Sequence, residues 1–116
     1  MRTSLLLLSL WLVFALSPGA LAQGEVAGLG PQETFEGAVG RAHHGDYAGA
    51  VTSYQHMRDH QDVRDPVVEH NLGNALFRLG QYGKAILAYR RGLSYEPGPE
   101  VARALERNME VCRLVL

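Results

Sequence analysis

From residue 33 onward, apolar positions recur at three- and four-residue spacing, the period of a helix with one buried face. Leu72, Leu76 and Leu79 keep that spacing, as do Ala85, Ile86, Tyr89 and Leu93. The pattern breaks at Gly45-Asp46, Pro66, Gly80-Gln81, Pro97 and Gly98-Pro99, residues that stop or open helices. These breaks predict five helices: Glu33 to His44, Tyr47 to about His60, Val67 to Leu79, Tyr82 to about Tyr95, and one following Gly98-Pro99. In the fifth, Val101, Leu105, Met109, Cys112 and Leu116 form one apolar stripe, and Arg103, Glu106, Arg107, Glu110 and Arg113 cover the other side. Such a stripe is expected to cap the preceding hairpin. The stretch Arg113 to Leu116 stops on apolar residues, which is expected either from a tightly docked last turn or from a lost continuation.

The first 22 residues follow a different pattern. Met1 to Ser4 carries one positive charge, Leu5 to Leu16 is an unbroken apolar run but for Ser9, and Ser17-Pro18-Gly19 precedes small residues at Ala20 and Ala22. This is the form of an export signal, with cleavage expected after Ala22. The run is short of the roughly 20 residues that span a bilayer. Membrane contact is therefore expected only through an uncleaved signal or a continuation past Leu116. Residues 23–32 read as a Gly-rich linker, and periplasm or cell envelope follows as the expected location.

Setting the chain against itself at a shift of 35 aligns Gly45, Tyr47, Ala50 and Tyr54 with Gly80, Tyr82, Ala85 and Tyr89. A period of this length marks stacked helical hairpins. Gly45 and Gly80 stand where one helix must stop and reverse. Ala50 and Ala85 are small where helices cross closely, and Tyr54 and Tyr89 lie four residues on along the same face.

The stretch His70 to Pro97 resembles a tetratricopeptide repeat. It carries the Leu72-Gly73 pair, the Gly80-x-Tyr82 turn, Ala85-Ile86 with Tyr89 following, and the closing Pro97. Gly92 replaces the usual Ala and is expected to loosen its helix by up to ~1 kcal/mol. Residues 33–65 resemble a degenerate copy, in which Ala38, Gly45, Tyr47, Ala50 and Tyr54 fit, Met57 replaces a small residue and Asp62 stands where Pro is usual. The implied fold is all-α: about two and a half helical hairpins in a short right-handed solenoid, with a degenerate unit at 33–65, a well-matched unit at 66–99, and a capping helix or start of a third unit at 100–116. More narrowly, the signal, the weak and strong units and the helix at Glu100 to Glu106 look like the front of the tetratricopeptide protein of bacterial Bat (aerotolerance) operons.

In such arrays the first helix of each hairpin lines a concave groove that holds an extended peptide or a partner helix. The resemblance places His70, Asn74, Phe77 and Arg78 in that groove. Asn108 lies 34 residues past Asn74, so the paired amides are expected to meet a partner's backbone while Arg78 takes a carboxylate. The implied function is a non-enzymatic protein interaction module that needs no cofactor and no metal. So few hairpins also make self-association an expected route to stability.

Charge adds an exclusion. The chain has 11 basic and 12 acidic residues, and loss of Arg2 with the signal leaves a net charge of −2 without a basic run. That excludes a phosphate-backbone binder, whose affinity comes from clustered Lys and Arg. Cys112 is the single cysteine, so no intrachain disulfide forms, and its place on an apolar stripe predicts burial. The rival chemistry is a metal-binding or catalytic site on His56 and His60, four residues apart beside Asp59 and Asp62. His43 and His44 are read as cations that favour the carboxyl end of their helix.

Overall fold

The computed structural model describes residues 33–116. The expected signal at 1–22, its cleavage point after Ala22 and the linker at 23–32 lie outside the described residues. Five helices follow in order: α1 Phe35–His43, α2 Tyr47–His60, α3 Pro66–Arg78, α4 Tyr82–Ser94 and α5 Pro99–Val115.

Four of the five starts, those of α1, α2, α3 and α5, have a local cause. Thr34 Oγ1 accepts from the Gly37 N–H at 3.0 Å, so α1 begins two residues later than the apolar pattern predicts. Asp46 Oδ1 accepts from Gly49 N–H at 2.9 Å and Asp65 Oδ1 from Val67 N–H at 2.8 Å. Pro66 and Pro99 open α3 and α5, where the missing N–H has no partner to lose.

The two tight turns are copies of one another. Gly45 and Gly80 have φ of 80° and 75°, in the left-handed region. In the first turn Asp46 N–H reaches Arg41 O at 2.9 Å and Gly45 N–H reaches Ala42 O at 3.0 Å; in the second, Gln81 N–H reaches Leu76 O and Gly80 N–H reaches Phe77 O, both at 2.9 Å. These paired bonds satisfy the last carbonyls of α1 and α3. A Cβ at Gly80 would meet nothing within 4 Å, so only the backbone resists a side chain there. Gly80→Ala is expected to cost about 1 kcal/mol, read as a lower urea midpoint at unchanged m-value.

Each helix packs on the next, and α1, α3 and α5 also pack in sequence. The core runs through this stack as Ala38, Ala50, Tyr54, Met57, Val68, Leu72, Ala75, Leu76, Ala85, Ala88, Tyr89, Leu105 and Cys112. Ala50 and Ala85 are fully buried beside the buried rings of Tyr54 and Tyr89. Burial also raises the Cys112 thiol above its ordinary pKa. Tyr82 packs on Phe77 with ring centroids 5.1 Å apart. Leu72 and Gly73 are buried on α3, and Pro97 follows α4 after a two-residue break.

Three sequence readings need correction. Gly92 does more than loosen α4: its Cα lies so near α3 and α5 that an added Cβ would stand 3.2 Å from Glu69 Cβ and from both Leu105 methyls. The helical gain of an alanine is therefore opposed by crowding. Asp62 does not stand in the place of Pro97. It has φ of 51° and matches Glu96, with φ of 54°; α2 is one residue longer than α4, so Val63 takes the Pro97 position. The last turn of α5 does not dock: Leu114 and Leu116 are 78% and 77% exposed, while Leu105 and Cys112 on the same helix are buried.

One buried charge was not read from the sequence. Glu69 on α3 is 1% exposed, and its Oε2 accepts from Arg91 Nη1 of α4 at 3.1 Å. Among the described residues its Oε1 has no hydrogen-bond partner. Burial raises its pKa above the ordinary Glu value, and the charges of Arg91 and Arg58 only partly oppose this.

Candidate functional site

The first helices of the two hairpins, α1 and α3, together with α5, face a concave cavity of about 600 Å³. Helix α1 supplies Val39, Ala42 and His43; α3 supplies Asn71, Asn74, Phe77 and Arg78; α5 supplies Asn108 and Val111. Tyr47 closes one side, and the rings of Tyr54 and Tyr89 lie at the base. The walls thus combine aliphatic and aromatic surface with three amides. Among the described lining residues Arg78 and His43 are the basic groups, and none is a carboxylate. The Arg78 guanidinium carbon sits 4.7 Å from the centre of the Tyr47 ring, which holds a cation at the rim by its attraction to the ring face.

At the base, a hydrogen-bond chain ties three helices together. Tyr89 Oη of α4 donates to Asn74 Oδ1 of α3 at 2.8 Å. Asn108 Nδ2 of α5 donates to the same Asn74 Oδ1 at 3.0 Å. The second Asn108 N–H points to His70 Nε2 at 3.1 Å. An amide nitrogen only donates, so Nε2 is the acceptor and the neutral ring carries its proton on Nδ1. Burial lowers the His70 pKa; Asn71 opposes this by hydrogen bonding and the Arg107 charge adds to it. Burial raises the Tyr89 pKa, so its hydroxyl stays a donor. Tyr54 is raised by burial too, against a hydrogen bond with Asn71.

Of the residues named from sequence, Asn74, Phe77, Arg78 and Asn108 line the cavity. His70 does not; it is half-buried behind Asn108 and braces it. Asn74 and Asn108 do not stand as two independent amides, because each spends one atom on the other. What remains is Asn74 Nδ2 as donor and Asn108 Oδ1 as acceptor. Sequence reasoning missed Val39, Ala42, Tyr47, Asn71 and Val111, and read His43 only as a helix-end cation. The signal was present for Val39 and Ala42, apolar positions one and four residues past the buried Ala38 on α1. His44, in contrast, binds its own helix end, Nδ1 to Gly40 O at 2.7 Å.

His56 and His60 lie on an exposed face of α2 with ring centroids 4.7 Å apart. The nearby carboxylates are engaged elsewhere: Asp59 takes two bonds from Arg58 at 2.7 and 3.0 Å, and Asp62 takes one from Arg64 at 3.2 Å. Among the described residues, no group of three or more His, Cys, Asp or Glu is placed to hold a metal ion. No described helix is long and apolar enough to cross a membrane.

Residues 68–99 match the family model of the tetratricopeptide repeat. This stretch comprises nearly all of α3, all of α4 and the residues up to the start of α5. No curated protein and no solved structure matches the chain.

Proposed function

From a chain that carries a tetratricopeptide repeat, we propose a non-enzymatic protein interaction module of the cell envelope that binds an extended peptide segment in the α1–α3–α5 groove. The observation that carries this is the uncommitted pair at the base of the cavity. Asn74 Nδ2 and Asn108 Oδ1 offer one donor and one acceptor, which is what the C=O and N–H of an extended peptide require. Val39, Phe77 and Val111 accept apolar side chains beside it, and the basic rim favours an acidic residue on the partner. The envelope setting is supported by the export pattern of residues 1–22, and the likeness to the Bat-operon protein makes an aerotolerance complex the setting in which to look for the partner.

The groove is tested by placing a photo-cross-linking residue at Phe77 in the full chain, with a second chain labelled at Leu87 on the exposed side of α4. In native cells the Phe77 label is expected to capture a discrete partner, and Arg78→Glu in the same chain to reduce the yield at least several-fold. Equal capture of that protein from Leu87, or no effect of Arg78→Glu, would count against the groove. Asn74→Ala is a poor variant for this purpose, because it strips the Tyr89 hydroxyl and Asn108 of their acceptor.

A further inference from the structure

His70 stands behind the groove wall, and what it can change there is whether Nε2 binds a proton. In the neutral ring, Nε2 accepts from Asn108, and that bond fixes which end of each amide is spent inside the network. A proton on Nε2 would set N–H against N–H at 3.1 Å. The contact becomes favourable again only when the Asn108 amide turns over and presents Oδ1 to the imidazolium. Oδ1 of Asn108 would then face Oδ1 of Asn74, 3.0 Å from the atom it replaces, so Asn74 turns as well and the Tyr89 hydroxyl changes from donor to acceptor. Each group has both a donor and an acceptor form available. The hydrogen-bond chain therefore has two polarities that present opposite amide ends to the cavity, the reversed one turning the Tyr89 O–H toward the cavity that Tyr89 lines.

We propose that His70 is a proton-sensitive latch on the groove: neutral, it holds Asn74 Nδ2 and Asn108 Oδ1 available to a partner; protonated, it reverses both amides and exchanges donor and acceptor, so that a peptide matched to the first arrangement no longer fits. The consequence for binding rests on the groove reading, but the latch itself does not. Burial of the imidazole sets the direction, against a hydrogen bond with Asn71. Tyr89 of α4 lies with its ring 6.2 Å away and Arg107 of α5 disfavours a second positive charge. Cys112 of α5 acts on the Tyr89 side. On its own helix Glu69 is turned to Arg91, and no described group of α1 or α2 acts on the imidazole charge. The protonated state is thus reached below the ordinary His range near 6.5.

The test uses the full chain labelled with ¹⁵N, without ligand, titrated from pH 7.5 to 5. At pH 7.5 the His70 imidazole is expected to carry its proton on Nδ1. On acidification the side-chain NH₂ signals of Asn74 and Asn108 are expected to shift together with His70, at one midpoint below that of an ordinary histidine. In His70→Gln, whose amide oxygen accepts at any pH, the two NH₂ pairs are expected to stay fixed. An Nε2–H tautomer at pH 7.5, a measurement that needs no variant, would overturn the latch. So would an imidazole that titrates while both amides stay still. Co-titration with no capture from Phe77 at any pH would leave the latch standing and remove the groove reading instead.

Discussion

Gly73→Ala is expected to destabilise the protein by about 3 kcal/mol, at the upper end of what overpacking costs. A Cβ at this position would collide with the edge of the Tyr89 ring, standing 2.6 Å from Cδ1 and 2.7 Å from Cζ. In many sites a neighbour yields by rotating away. Here the ring is 1% exposed, and its hydroxyl is held by Asn74 at 2.8 Å. Relief therefore requires α3 and α4 to separate or the hydroxyl to lose its partner. Urea unfolding of Gly73→Ala beside Gly73→Ala/Tyr89→Leu separates collision from helix propensity. The single change should be the larger loss relative to its own background, because the smaller Leu vacates the space. A single variant within about 0.5 kcal/mol of the native protein would show that the two helices are not in such close contact.

Arg91→Met is expected to cost about 2 kcal/mol at pH 7 and well under half of that at pH 4.5. Removing one partner of a buried pair leaves the other uncompensated, which is the expensive way to break it. Arg91 has 37% of its side chain in solvent, so the loss falls below that of a fully buried pair. A ceiling also applies. Glu69 can escape by binding a proton, which for a carboxyl of ordinary pKa about 4.3 costs about 3.7 kcal/mol at pH 7. The folded pKa of Glu69 is already raised, so the folded state binds the proton more tightly than the unfolded chain. Its contribution is full below the ordinary carboxyl pKa and is lost as pH rises through the folded value. Losing Arg91 raises the folded value further and extends that decline toward neutrality. Stability measured from pH 4.5 to 7.5 should therefore show the two proteins diverging upward in pH. A difference that stays constant across the range would mean that Glu69 is not the group responsible.

The hairpin architecture was legible because its determinants are local and repeated. Gly-x-Tyr, an alanine three residues later and a tyrosine four beyond that each answer a requirement of the turn or of a close helix crossing, and both units contain them. The slip at Asp62 was not legible, since a shift of 35 fits the turns while the extra residue of α2 changes the spacing by one at the helix end. The site was read in part. Asn74, Phe77 and Arg78 share one face of one helix, and periodicity finds such a face. His43, Tyr47 and Val111 reach the same cavity from three other helices, and only packing brings them there. Glu69 reads as one more charge at the start of a helix. Its burial depends on Gly92, in a different helix, approaching its stem. Likewise His70 and Asn108 looked like two groove residues, and the structure makes one the support of the other.

Helix α5 has a consequence for how recognition and cohesion are joined. Among the described residues it packs on α3 and α4 alone, chiefly through Leu105 and Cys112, and its last turn is exposed. Such an element detaches at a free-energy cost below that of global unfolding. Yet it brings Asn108 and Val111 to the cavity, so every such excursion also dismantles one wall of the groove. A peptide lying across α1, α3 and α5 would act as a clasp, and its measured affinity would be the intrinsic one scaled by the fraction of molecules with α5 in place. By the same linkage, amide protection along α5 should rise on binding more than protection in α2, which is packed by the helices that precede and follow it, α1 and α3.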